Sequence, residues 1–248
     1  MILHKALSIL LPALFVVVFP YPARSEQHSG LKKNPVYSTY DFSRNKKTVI
    51  FGNQPLAAPV GVIGEVMKRD RVLRRALKSA GWDFRFHSFL KGTDINLFLV
   101  HDDIDAAMGG DMPTITTAAT SDILIAALAK QSFSSIIAKG QVLISELAGK
   151  RVGYPAGSSA HYGLLIALSS AGMKESDVRM VSLDVNEMSE ALAKNSIDAF
   201  TAWEPIPTIA LGKHHDFAVV QRFLNSSYLY FARNFARDNP EIAEQVAA

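Results

Sequence analysis

Gly157-Ser158-Ser159-Ala160-His161 sets a glycine, two hydroxyls and an imidazole directly ahead of an apolar helical pattern. Two chemistries suit it. A serine before a helix is a natural N-cap, whose oxygen accepts from a first-turn N–H. The same N–H groups and the positive end of the helix dipole also suit an anion, and two adjacent hydroxyls exceed what one cap requires. The residues alone leave both readings open. Gly109-Gly110-Asp111-Met112-Pro113-Thr114 has the same character. Its glycines permit a tight bend and its proline suits a first helical turn. Thr114, Thr116 and Thr117 add hydroxyls, and Asp111 either caps the helix or faces a cation. Trp203-Glu204-Pro205 follows a strand-like run, where an indole walls a pocket or fills core.

Catalytic patterns are thin. The 248 residues include no cysteine, which excludes disulfides, thiolate metal sites and cysteine nucleophiles. The Gly157–His161 stretch departs from the Gly-x-Ser-x-Gly elbow. Phosphate-loop, His-Glu-x-x-His and dinucleotide signatures are missing. His161 alone reads as structural, and the adjacent His214-His215 pair is poorly placed to chelate one ion. Neither metal nor cofactor is expected.

Alternating strand and helix patterns must position these stretches. Strands are expected at 48–51, 84–89, 105–108, 123–128, 134–138, 151–154, 178–183, 199–202, 217–220 and 228–232. Helices are expected over 59–81, from 114, and over 159–171, 186–194 and 240–248. This alternation predicts parallel α/β structure, and it occurs twice. Residues 48–131 with 222–248 are read as one lobe and 140–221 as the other. A crossing at 132–139 and a second within 222–248, which also returns to the first lobe, would join them. In open α/β sheets ligands sit at the carboxyl ends of strands. The polar strand exits are Gly52-Asn53-Gln54, Gly109 to Thr114, and Ala156 to Ser159.

Hydrophobic residues make up 48% of the chain, ample for a buried core. The net charge of +3 is dispersed, which suits a small anion and argues against a nucleic-acid surface. At the N-terminus a basic start precedes an apolar run from Ala6 to Val18, and Ala23-Arg24-Ser25 supplies small residues for a cleavage site. Residues 1–25 read as a signal peptide cut before Glu26, with an uncleaved anchor as the alternative. The polar residues 26–47 read as a mobile leader.

Three stretches, "GGDMPTITTA", "LAGKRVGYPAGSSAHYGLLIALSSAGM" and "ALAKNSIDAFTAWEPI", resemble the periplasmic solute-binding proteins of ABC importers that take up taurine, alkanesulfonates and nitrate. The resemblance covers residues 48–248. It implies a type II two-lobed α/β fold with a ligand cleft between lobes joined by two crossing strands. It also implies a small anionic ligand, a membrane permease as partner, a monomer and a periplasmic location. Carried onto this sequence, it places the ligand among Asn53, Gln54, Asp111, Met112, Thr114, Ser158, Ser159, His161, Trp203 and Glu204. Family members usually continue past the point where this chain stops, so a truncated first lobe with exposed apolar surface is expected. The alternatives are a sensory ectodomain using the same trap, or an enzyme built on the same fold.

Overall fold

The computed structural model describes residues 24–44, 47–55, 57 and 60–248. The signal-peptide reading therefore falls almost wholly outside the described residues. The elements are α1 (Arg24–Lys32), β1 (Thr48–Asn53), α2 (Val60–Arg69), α3 (Arg71–Ser79), β2 (Asp83–Ser88), α4 (Gly92–Val100), β3 (Ala106–Gly110), α5 (Asp111–Ala118) and β4 (Ile123–Lys139). They continue with β5 (Arg151–Tyr154), α6 (Ser159–Ser170), β6 (Arg179–Ser182), α7 (Val185–Ala193), β7 (Ala199–Trp203), α8 (Ile206–Lys213), β8 (Phe217–Ala232), α9 (Arg233–Asp238) and α10 (Pro240–Ala247).

The strands form one sheet in the order β2-β1-β3-β8-β4-β7-β5-β6. Two parallel triplets, β2-β1-β3 and β6-β5-β7, flank an antiparallel ribbon of β4 and β8. The ribbon pairs from Ile123↔Ala232 to Lys139↔Phe217. Each of its strands has 16 or 17 residues, about 50–55 Å at the strand rise. That length carries the ribbon through both lobes. It corrects two expectations: the pairs of short strands at 123–128 and 134–138, and at 217–220 and 228–232, are two unbroken strands. The lobes consequently share one sheet.

Separate cores distinguish the lobes. Phe51, Phe98, Tyr230, Phe231, Ile242 and Val246 belong to one cluster. In the other lobe, successive β4 residues point to opposite faces. Ile136 packs with Val152, Leu164 and Leu168 beneath α6, and Ile137 packs with Phe200, Met188 and Leu192 beneath α7.

The single helix expected over 59–81 is two. Asp70 accepts from the N–H groups of Val72 and Leu73 at 2.6 and 3.2 Å, starting α3 afresh. Leu77 is buried, but Val62 and Val66 face solvent. Residues 26–44, expected as a mobile leader, instead pack along the first lobe. Tyr37 is fully buried; its hydroxyl donates to Asp94 at 2.7 Å and accepts from the Leu90 N–H at 3.0 Å. His28 bonds Asp103 and stacks on His101, and Arg44 pairs with Asp105 at 2.6 Å. The polar sequence conceals this strap because a few aromatic side chains, rather than a periodic stripe, anchor it.

Candidate functional site

A cavity of about 240 Å³ lies where the lobes meet along the ribbon. The first lobe contributes Gln54, Gly92 and Gly110, and the second contributes Gly157, Ser159 and Asn186. Lys130 on β4 and Asn225 and Ser227 on β8 line it from the ribbon. The loop before α4 and the cap of α7 meet through Lys91 and Asp184, whose charged atoms are 2.9 Å apart. Gly157 adopts φ +69°, and a Cβ there would come within 3.2 Å of Thr93. Glycine is thus needed both for the left-handed turn and for the close approach of the lobes.

Of the ten residues singled out from the sequence, Gln54, Ser158, Ser159 and Trp203 line the cavity. Gln54 donates to the Leu90 carbonyl at 3.2 Å. Ser158 caps α6: its oxygen accepts from the His161 N–H at 3.1 Å and its proton goes to the Pro155 carbonyl at 2.7 Å. Its one donor is therefore spent, and the capping reading holds for this hydroxyl. Ser159 reaches across the gap, its oxygen 2.7 Å from the position a Cβ on Gly110 would occupy. The Trp203 indole N–H is buried without a hydrogen-bond partner.

The other six do not line the cavity. Asn53 is buried with its amide against Gly64 of α2, because strand alternation turns it from the exit. The Asp111 carboxylate accepts from the N–H groups of Met112 and Ser226 at 2.8 and 2.9 Å. Met112 is half-buried beside it. Thr114 is fully buried and donates to the Gly110 carbonyl at 2.8 Å. The His161 Nδ1 accepts from the Gly157 N–H at 3.2 Å, its ring packs on Tyr154, and burial lowers its pKa. Glu204 accepts from the Thr208 N–H in the first turn of α8 at 3.3 Å.

Sequence reasoning missed Lys130 and Asn225. The Lys130 ammonium donates to the Asn225 side-chain oxygen at 2.9 Å, and the Asn225 amide donates to the Ser134 hydroxyl at 2.5 Å. Burial pushes the Lys130 pKa down to about 8, against the opposing pull of Asp111. One signal was available: a lysine directly following the apolar run Ile123 to Ala129.

Two α/β lobes, a crossing ribbon and an enclosed cleft define the architecture of periplasmic binding proteins. It superimposes on the crystal structure of the periplasmic aliphatic sulphonate binding protein SsuA from Escherichia coli with a TM-score of 0.66, 24% identity, and coverage of 81% of this chain and 70% of that one. The chain belongs to the NMT1/THI5-like family, whose profile matches residues 114–247. A candidate binding protein of Brucella abortus (strain 2308) is 32% identical over 122 residues, 46% of this chain and 38% of that protein. The taurine-binding periplasmic protein of Escherichia coli (strain K12) is 28% identical over 133 residues, 52% of this chain and 41% of that protein. The chain thus matches about two fifths of the length of these curated relatives.

Proposed function

We propose that this chain is the solute-binding component of an ABC importer, exported to the periplasm, that captures a small organic anion of the sulfonate, taurine or nitrate kind. The observation that carries the reading is the cavity itself. It is built from both lobes and from the ribbon that joins them, so an occupant touches every part that must move for capture and release. Membership in the NMT1/THI5-like family and likeness to proteins named for taurine and sulphonate binding supply the ligand class. In this reading Gln54, Ser159 and Trp203 contact the ligand, the protein acts as a monomer that delivers it to a membrane permease, and no bond of the ligand is broken.

A thermal-shift screen with ethanesulfonate, taurine, nitrate, bicarbonate and a pyrimidine tests it. A ligand present at a hundredfold its Kd adds about 2.7 kcal/mol to apparent stability, a rise of several degrees in Tm. One of the anions is expected to give that rise and to be recovered unchanged. Stabilisation by the pyrimidine alone, or conversion of the bound anion to a product, would overturn the reading.

A further inference from the structure

We infer that Lys130 is the anion anchor of this cleft and that it selects a singly charged head group over a doubly charged one. The inference rests on the solute-binding reading and adds to it the group that recognises the charge.

The geometry supports it in four steps. Lys130 sits at a register shift in the ribbon, between Leu128 and Lys130. Such bulges re-aim a side chain from the regular alternation, and here the residue lines the cavity. One of its three N–H bonds goes to Asn225, whose amide is fixed in turn by Ser134. The remaining two are spare. Among the described residues no carboxylate forms an ion pair with it. Asp111 is taken up by two backbone N–H groups, and Asp184 is paired with Lys91. Asp111 attracts the ammonium without pairing with it; a half-buried ammonium lacking a direct ion-pair partner is costly, and an entering anion lowers that cost.

The ligand's other features follow from the lining. Ala57, Leu90, Pro113, Pro155, Leu183 and Val185 make most of the remaining wall apolar, which suits a short alkyl tail. Lys91 is already neutralised by Asp184, so one cationic charge is free. A dianion such as sulfate would carry a second charge into a partly desolvated site with no partner for it.

The experiment is calorimetric titration of ethanesulfonate and sulfate into the wild type, Lys130→Met and Lys130→Arg. Near pH 7 the wild type is expected to prefer ethanesulfonate over sulfate by tenfold or more, and Lys130→Met is expected to lose at least tenfold in ethanesulfonate affinity. Titration of the amine adds a second readout. With a free-state pKa of about 8, wild-type affinity falls about tenfold from pH 7 to 9 as the ammonium loses its proton. Lys130→Arg, which stays charged, shows no such fall. Among the described residues, Asp111 acts on Lys130 from outside the cavity wall, the Lys91–Asp184 pair lines the cavity, and His161 stands in the first turn of α6 behind it; all are retained in that variant. Burial lowers the His161 pKa, so it is already neutral across this range. Should Lys130→Met fail to fold, the pH profiles of the wild type and Lys130→Arg still decide the matter. Unchanged affinity in Lys130→Met, a flat wild-type profile, or equal binding of sulfate would overturn this inference while leaving solute binding intact. A wild type that binds neither probe nor any other anion would overturn both.

Discussion

Two helix starts face each other across the cleft, and their sequences look alike: Gly110-Asp111 opens α5, and Ser158-Ser159 opens α6. The structure treats them oppositely. The start of α5 supplies its own anion. Asp111 takes the Met112 N–H and ties the helix to the ribbon through the Ser226 N–H, while Asn96 donates to the Pro113 carbonyl at 2.8 Å. A helix end already holding a carboxylate has little left for a second anion. The start of α6 is capped by a neutral hydroxyl, so its dipole is not cancelled. Its position is fixed by packing: Gly163 lies against Phe223 so closely that a Cβ there would stand 1.8 Å from the ring. One wall is thus electrostatically self-sufficient, and the other remains receptive to an anion.

The largest expected effect breaks the packing on the α6 side. Gly163→Ala forces the helix off Phe223, and overpacking of this kind costs about 1–3 kcal/mol, with more where neighbours cannot yield. A Tm fall of several degrees is expected by calorimetry. No change in Tm would mean that α6 is not seated on the ribbon by this contact.

On the α5 side, Asp111→Ala removes the acceptor of two backbone N–H groups. Hydrogen bonds to charged groups contribute about 1.5–3 kcal/mol each, and solvent repays part of that here, so a loss of about 2 kcal/mol is expected by denaturant titration. Anion affinity should move the other way and rise, because a negative charge near Lys130 has gone. A parallel fall in stability and affinity would show that Asp111 serves the ligand and not the helix.

Much of this contrast was legible in the sequence, and its limits have identifiable causes. The cap at Ser158 and the helix after it follow from local chemistry, as do β1, β2 and β5. The ribbon did not. Bulges at Ile125/Ala127, Leu128/Lys130 and Ile136/Ile137 break the two-residue alternation that marks a long strand. The residue pattern therefore shows each crossing strand as two short ones, and Lys130 and Asn225 fall in the gaps between them. The family resemblance places Asp111 and Glu204 at the ligand, and the residues alone leave Asp111 open, because a carboxylate near a strand exit looks the same whether it caps a backbone or greets a solute. Only the partner N–H groups decide, and Ser226 lies more than a hundred residues from Asp111 in the chain.

A smaller effect separates the two serines. Ser158→Ala removes a cap and is expected to cost about 1 kcal/mol of stability while leaving anion affinity within a factor of about two. Ser159→Ala leaves the cap in place and is expected to hold stability within about 0.5 kcal/mol. Its affinity should fall about tenfold, as for one charged hydrogen bond. Paired unfolding and titration data check both, and an exchange of the two phenotypes would reverse the assignment of cap and ligand contact.

The smallest expected effect concerns pH and again divides the two helix starts. His161 stands in the first turn of α6 with its Nε2 buried and unpartnered, and burial lowers its pKa. Protonation would also place a positive charge at the positive end of the helix. Below about pH 6.5 the unfolded chain therefore takes up a proton that the folded chain resists, so His161 withdraws stability as pH falls through that value and has no effect above it. One proton sets a ceiling of about 1.4 kcal/mol per pH unit on its slope. His28 and His87 are also lowered by burial, so the acid slope of the whole protein is shared. The contribution of α6 is isolated by difference: His161→Gln keeps an acceptor for the Gly157 N–H and cannot charge. Denaturant midpoints between pH 7 and 5 should fall less steeply in this variant than in the wild type, with the two curves parallel above pH 7. Curves that stay parallel down to pH 5 would mean that the imidazole is protonated in place without penalty, and that the α6 start tolerates a cation as readily as an anion.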